Sequence, residues 1–276
     1  MSEPMPMVWL DGVLIEGRHA RVAPTDHGLT VGDGVFETLK VVGETPFALS
    51  RHLARLTRSA AAMGIAVPPE ATLRQAADAV VGANPGATKL RITVASGPGP
   101  AGSGRGDGPP TVVVFADATP LPKGTIAVAT VPWTRNEQGA LAGLKTTSYA
   151  ENVLALRHAR AQGADEALFA NTSDQLCEGT GTNVFVVLDD RLLTPPLAAG
   201  CLAGVTRELV LEVTDAVEEA VPMALVGDLT EMFVTSSTRD VQAVASVDGD
   251  RLPVVNGAVT QAAATAFARR ALDLDP

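Results

Sequence analysis

Lys145 and Glu178 are the two residues whose types and setting point to chemistry. Lys145 ends an apolar stretch, in Leu144-Lys145-Thr146-Thr147-Ser148-Tyr149, just ahead of an amphipathic helical run. Glu178 begins Glu178-Gly179-Thr180-Gly181-Thr182-Asn183, which leads into the strand-like Val184-Phe185-Val186-Val187-Leu188. An amine of this kind condenses with an aldehyde and then serves as general base and acid at a substrate carbon. A carboxylate against a pyridine nitrogen keeps that nitrogen protonated, so the ring absorbs electrons from a carbanion. Pyridoxal 5'-phosphate needs both groups. Taken singly, each residue has a plainer reading. One is a lysine at a helix N-terminus, where a cation opposes the helix dipole by under about 1 kcal/mol. The other is an acidic turn before a strand, which Asn183 would pin by hydrogen bonds to backbone.

A phosphate needs donors, and three segments offer them. Gly204-Val205-Thr206-Arg207 opens a predicted helix, whose free N–H groups and dipole favour an anion. Thr206 is equally a plain N-cap. Thr235-Ser236-Ser237-Thr238 follows an apolar strand and adds hydroxyl and N–H donors. Arg55, in His52-Leu53-Ala54-Arg55-Leu56, either makes a charge-assisted contact or is an ordinary arginine on the polar side of a helix. His19, His27, His52 and His158 show no metal-ligand spacing, and no metal is expected. His27, before a Gly-Asp-Gly turn, reads as structural or as bordering a neighbouring subunit's site.

Composition bounds the scaffold that must hold these groups. The 276 residues are 46% hydrophobic and 19% charged, which fits a soluble globular chain of one large or two modest domains. No apolar run approaches the ~20 residues of a membrane span. Met1-Ser2-Glu3-Pro4-Met5-Pro6 carries no basic segment with an apolar sequel, so a secretion signal is not expected. A net charge of -10 without a basic stripe argues against nucleic acid, while small anionic ligands stay open. Two cysteines, Cys177 and Cys201, make neither a disulfide framework nor a metal site, so a reducing, cytoplasmic setting is expected. Cys177 reads as a small buried thiol.

The elements follow from periodicity and turn chemistry. Val8-Trp9-Leu10 and Val13-Leu14-Ile15 flank an Asp11-Gly12 hairpin turn. Residues 35–42 read as a strand, 51–63 as a helix with Ser50 as N-cap and Gly64 as stop, and 73–81 as a second helix. Strands at 90–95 and 112–116 complete an α+β unit. The Gly/Pro-rich stretch 96–110 reads first as a flexible surface loop. Its sharper reading is a flap with Arg105 reaching inward. A small N-terminal α+β domain over 1–118, a linker over 119–124 and a larger C-terminal α/β domain over 125–276 are expected. The latter has strands at 125–131, 167–170, 184–188 and 232–235, with helices at 149–162, 206–220 and 259–272. In the helix from Thr206, Leu209, Val213, Val217 and Ala220 form the expected buried stripe.

The chain resembles the PLP-dependent fold type IV enzymes, the class IV aminotransferases. The resemblance rests on six segments in order. They are Gly32-Asp33-Gly34-Val35-Phe36-Glu37, His52-Leu53-Ala54-Arg55-Leu56, Lys145 with Asn152-Val153-Leu154-Ala155, 178–185, 204–207 and 235–238. It implies a two-domain subunit working as a homodimer, with the site at the domain boundary. It also implies that Lys145 holds the cofactor and shuttles the proton, that Glu178 faces the pyridine nitrogen, and that Arg55, Val205, Thr206 and Ser237 hold the phosphate. The substrates would be an amino donor and a 2-oxo acid acceptor, with no nucleic-acid or membrane partner.

Departures from the family pattern bear on substrate. Branched-chain enzymes place a tyrosine five residues after the lysine; here Ala150 stands there and Tyr149 is one residue earlier. A contact from Tyr149 to the cofactor's phenolic oxygen is the corresponding expectation. The Arg-x-His carboxylate trap of bacterial D-amino-acid enzymes is absent from the 96–110 loop. Arg91 is the replacement candidate, since a buried arginine needs an anion; a solvent-facing edge arginine is its plain alternative. Arg105 and Arg239 are further candidates, and Phe36 is a pocket wall or a core residue. The expectation is an aminotransferase with a D-amino-acid donor. The alternatives are 4-amino-4-deoxychorismate lyase, a branched-chain or R-amine transaminase, and a non-catalytic binding protein on the same scaffold. The lyase pattern of a glutamate six residues after the lysine fits Glu151.

Overall fold

The computed structural model describes residues 6–276; residues 1–5, part of the segment read for a secretion signal, lie outside the described residues. Two compact units emerge. The first comprises the chain up to Leu121 together with Leu144–Tyr149 and Asp273–Pro276. The second comprises Pro122–Gly143 and Ala150–Leu272. The Lys145 segment, assigned by sequence to the C-terminal domain, therefore groups with the first unit.

The first unit is a six-stranded sheet with helices. Its strands are β1 (Met7–Leu10), β2 (Val13–Glu16), β3 (Gly34–Val42), β4 (Thr45–Pro46), β5 (Lys89–Ala95) and β6 (Thr111–Asp117), in the order β2-β1-β6-β5-β3-β4. Its helices are α1 (His27–Thr30), α2 (Leu49–Met63) and α3 (Glu70–Ala83). Asp11 and Gly12 both take positive φ, 48° and 98°, as a two-residue turn of the I′ kind demands. Helix α2 starts at Leu49 with Ala48 as N-cap, not Ser50. The Ser50 hydroxyl instead donates to Asp275 and accepts from Arg74.

Strand alternation sorts the two faces of this sheet. Val35, Leu39, Leu90, Ile92 and Val94 form the core with Leu53 and Leu56 of α2 and Ala76 and Val80 of α3. Phe36 pairs with Thr93 and Thr38 with Arg91, so these four share the opposite face. Glu37 is the exception, a carboxylate on the core face. The Lys145 segment extends the β3 edge: Phe36 N donates to the Lys145 carbonyl at 3.1 Å, and Thr147 N donates to the Gly34 carbonyl at 2.8 Å.

The 96–110 surface loop is bonded to the rest of the unit at its start. His27 N donates to the Gly97 carbonyl and Gly99 N to the Thr25 carbonyl, both at 3.0 Å, and His27 Nε2 donates to the Pro100 carbonyl at 2.9 Å. A Cβ on Gly99 would sit 2.5 Å from His27 Nε2, and one on Gly106 2.4 Å from the Pro98 carbonyl oxygen. Those glycines permit the close approach.

The second unit is a mixed nine-stranded sheet. It contains β7 (Ile126–Arg135), β8 (Glu166–Asn171), β9 (Leu176–Gly179), β10 (Asn183–Leu188), β11 (Arg191–Thr194), β12 (Val217–Glu218), β13 (Glu231–Ser236), β14 (Asp240–Val247) and β15 (Asp250–Arg251). The order is β12-β11-β10-β13-β14-β7-β8-β9, with β15 on β14. Helices α4 (Ala150–Ala161), α5 (Val205–Val213) and α6 (Ala258–Arg270) complete it. Helix α5 stops short of the expected Ala220. Thr214 leaves helical geometry, and its hydroxyl donates back to the Val210 carbonyl, a local bond that competes with helix continuation. Of the expected stripe Leu209 is buried and Val213 half-buried, while Val217 and Ala220 are exposed.

Candidate active site

In the first unit three side chains converge on one aromatic ring, that of Phe36. The Lys145 backbone N donates to Ser59 Oγ at 3.3 Å, which together with the β3 pairing fixes where its side chain starts. Lys145 Nζ lies 4.4 Å from the Phe36 ring centroid and 5.9 Å from that of Tyr149. Tyr149 meets Phe36 edge-on at 5.2 Å. Arg91 stacks its guanidinium carbon 3.7 Å from the same Phe36 centroid, and its Nε donates to Thr93 Oγ1 at 3.3 Å. Each cation–ring contact contributes about 0.5–2 kcal/mol, more as water is excluded.

Arg91 is half-buried, and burial pulls its pKa below the ordinary guanidinium value against the pull of Tyr149 and Glu37. Among the described residues no carboxylate lies within ion-pair distance of it. A partly desolvated guanidinium without a counter-ion is suited to receive a carboxylate.

On the other face of β3, Glu37, His52 and Arg55 form a buried cluster. Glu37 accepts from Arg55 Nε at 2.8 Å and Nη2 at 2.6 Å, and from His52 Nδ1 at 2.6 Å. Burial alone would raise the Glu37 pKa, but the Arg55 charge and hydrogen bonds, with His52, hold it down to about 2. His52 is pulled down by burial more than Glu37 pushes it up, so a neutral imidazole donating from Nδ1 fits the geometry. Arg55 thus sits on α2 with its Nε and Nη2 edge taken by Glu37.

In the second unit Glu178 lies on β9. Its Oε2 accepts from Leu202 N at 2.9 Å, and its Oε1 faces Arg135 Nε at 3.4 Å. Arg135 stacks on the Phe169 ring at 4.1 Å and donates through Nη1 to Glu151 Oε2 at 2.6 Å and Asn152 Oδ1 at 3.1 Å. Asn152 Nδ2 donates to the Thr180 carbonyl. Glu166 accepts from Thr180 N and Oγ1 and pins the same turn.

The same unit offers an anion cradle. Helix α5 begins after N-cap Gly204, which has no side chain to accept from the first-turn N–H groups of Val205 and Thr206. A Cβ at Gly204 would fall 2.0 Å from Asn183 Oδ1, so only glycine fits. Asn183 pairs with Thr235, whose buried hydroxyl has no hydrogen-bond partner among the described residues. An uncapped helix start, a glycine close approach and an unsatisfied hydroxyl fit a phosphate. Thr206 was expected as the N-cap; Gly204 takes that position. Ser237 follows β13 in the turn toward β14.

The structure brings Lys145, Phe36, Tyr149 and Arg91 together. Arg105, expected as a substrate ligand, instead grips Asp33 with Nε and Nη2, each at 2.6 Å, and donates to the Gly64 carbonyl. Arg239 donates to Gln242 Oε1. Burial pushes the thiol pKa of Cys177 well above the ordinary range and that of Cys201 up to about 12, which keeps both protonated. Sequence reasoning missed Arg135, Glu37 and His52 as members of the charged clusters. The alternation that set Phe36 on one face of β3 already put Glu37 on the other, facing the helix that carries His52 and Arg55.

The model of the family described as amino-transferase class IV matches residues 34–247. The chain belongs to the class IV aminotransferases. It is accordingly an enzyme of the group that works on amino donors and 2-oxo acids. It is 31% identical to a protein of Methanocaldococcus jannaschii named "Putative branched-chain-amino-acid aminotransferase", over 88% of each chain. It is 29% identical to the bifunctional aminodeoxychorismate lyase / D-amino acid transaminase of Mycobacterium tuberculosis, over 90% of this chain and 93% of that one. Its fold is similar to the branched-chain aminotransferase of Thermoproteus uzoniensis solved with norvaline, with a TM-score of 0.86 and 30% identity over 96% and 94% of the two chains. Class IV aminotransferases are pyridoxal-phosphate enzymes, and a solved relative is a PLP-bound form.

Proposed function

We propose that this class IV aminotransferase uses pyridoxal phosphate to move an amino group from an amino acid, a D-amino acid by preference, to a 2-oxo acid. When bound, the cofactor supplies an aldehyde for the donor amine and a ring that takes up electron density. Lys145 holds it through Nζ, removes the proton from the donor Cα and returns it. Glu178 serves the pyridine nitrogen and Tyr149 the phenolic oxygen. Arg55 through Nη1, Val205 and Thr206 through their N–H groups, and Ser237 through its hydroxyl take the phosphate. Arg91 takes the donor carboxylate, and Phe36 walls the pocket.

The observation that carries this reading is the Phe36 platform, where the Lys145 amine shares one ring with an arginine that has no carboxylate partner among the described residues. Ala150, where branched-chain enzymes carry tyrosine, supports the D-preference. The reading includes a homodimer, supported by exposed Leu29 and Val31, and a reducing cytoplasmic setting, supported by two buried free thiols. The bifunctional relative favours a second reading, 4-amino-4-deoxychorismate cleavage to 4-aminobenzoate and pyruvate.

A donor screen tests both. The protein is loaded with cofactor and its absorbance followed with D- and L-amino acids and R-amines. Bleaching by D-alanine or D-glutamate is expected. Inertness to every donor, with pyruvate released from aminodeoxychorismate in the absence of a 2-oxo acid, would replace the transaminase reading with the lyase.

A further inference from the structure

We propose that Arg135 is a positioning residue for Glu178: it holds that carboxylate ionised and ties the Glu178-Thr182 turn to the first turn of α4. The inference rests on the proposed role of Glu178 at the pyridine nitrogen and goes beyond it.

Sheet order creates the arrangement. Strands β7, β8 and β9 are neighbours, with Arg135 paired to Asn171 and Phe169 paired to Glu178. Phe169 on the middle strand therefore separates Arg135 from Glu178. Arg135 crosses that gap by lying on the Phe169 ring. A guanidinium stacked on an aromatic is fixed in plane and orientation, which a lysine on the same strand would not be. Its Nη1 is committed to Glu151 and Asn152, while its buried Nε makes no hydrogen bond among the described residues and faces Glu178 Oε1 at 3.4 Å.

The surrounding groups explain why a cation is needed. Cys177 and Cys201 both sense the Glu178 charge, and each is a protonated thiol that offers it no positive charge. Glu151 on α4, Glu166 on β8 and Glu137 after β7 are carboxylates of the same unit, and Arg207 of α5, a cation that also acts on Cys201, is paired with Glu218. Arg135 Nε lies within ion-pair distance of Glu178, at 3.4 Å. A nearby opposite charge favours the ionised carboxylate, and like charges oppose it. The chain Arg135–Asn152–Thr180 fixes the same turn by hydrogen bonds. Charge and position are therefore set by one side chain.

The test compares Arg135→Leu, Arg135→Lys, Glu178→Gln and the Arg135→Leu/Glu178→Gln double variant, each loaded with pyridoxal phosphate. Two quantities are read: the acid midpoint at which the bound-cofactor absorbance band changes, and cofactor retained after gel filtration across pH. Arg135→Leu is expected to move the acid midpoint upward by about one unit, a tenfold change in proton affinity. Arg135→Lys, which keeps the charge, is expected to restore most of that shift. In the Glu178→Gln background Arg135→Leu should add nothing. If Glu178→Gln alone leaves the band and its pH dependence unchanged, the reading of Glu178 fails. If Glu178→Gln alters them while Arg135→Leu leaves the midpoint in place, this inference alone is overturned. Should Arg135→Leu not fold, the midpoint of Glu151→Gln, which releases Arg135 from its strongest competitor, is expected to move downward; an upward shift or none would contradict the proposal.

Discussion

Glu37 and Glu178 are both carboxylates facing an arginine, and the fold treats them oppositely. Glu37 is fully buried, with three donors at 2.6–2.8 Å filling both oxygens. Glu178 keeps 13% of its side chain exposed, accepts from Leu202 N at 2.9 Å and faces its arginine at 3.4 Å. A carboxylate saturated at short range in a dry core is an architectural part, since losing one partner strands a buried charge. One that meets its arginine at longer range, in a position still partly open to solvent, is placed to meet a ligand. Proximity to arginine does not by itself distinguish the two; burial and the length of the ion pair do.

Substitution should separate the two sharply. Glu178→Gln is expected to lower turnover by about 10²–10⁴-fold with the melting temperature nearly unchanged, measured by steady-state kinetics beside calorimetry. Glu37→Ala should instead cost about 3–5 kcal/mol of stability, because Arg55 is left buried without its carboxylate, measured by urea unfolding. Equal losses of stability in the two variants would erase the contrast.

Acid should expose the same cluster. Both Glu37 and His52 have folded-state pKa values below their ordinary ones, so the unfolded chain binds the extra protons and stability falls with acid. The His52 contribution declines as pH drops below 6.5, and that of Glu37 between 4.5 and about 2. Denaturant midpoints followed from pH 8 to 3 should fall, and His52→Gln should flatten the upper part of the decline.

Arginines elsewhere sharpen the same lesson. Arg91→Gln is expected to raise KM for amino-acid donors by about 10–100-fold, while an R-amine without a carboxylate is affected little. Arg105→Ala, which breaks a partly exposed pair with Asp33, should change stability by about 1 kcal/mol or less and leave donor KM in place. A large KM effect at Arg105 would return it to the substrate site.

Much of this was legible before any coordinates. The Asp11-Gly12 hairpin, the Gly64 helix stop and the alternation of β3 are local signals, and each appears where it was read. Helix α5 was overextended because Val217 continues the helical spacing, whereas the competing Thr214 hydroxyl is a local bond that periodicity does not register. The 96–110 segment is the surface loop between two strands that was read, but its backbone bonds to Thr25 and His27 were not legible, because glycine for close approach and glycine for flexibility have the same composition. Arg135 stands 43 residues from Glu178, and only the β7-β8-β9 order makes them neighbours. The Arg91 stack on Phe36 came closer to legibility, since both lie on predicted strands, but the register that sets their faces is a long-range choice.

The sequence contains four lysines, Lys40, Lys89, Lys123 and Lys145, which makes the central claim open to a direct assignment. Borohydride reduction of the cofactor-loaded protein followed by peptide mass mapping should find the phosphopyridoxyl mass on Lys145 and on no other lysine. Its appearance on Lys40, Lys89 or Lys123, or an unmodified Lys145 in a protein that stays colourless with excess cofactor, would contradict the assignment of the reactive amine.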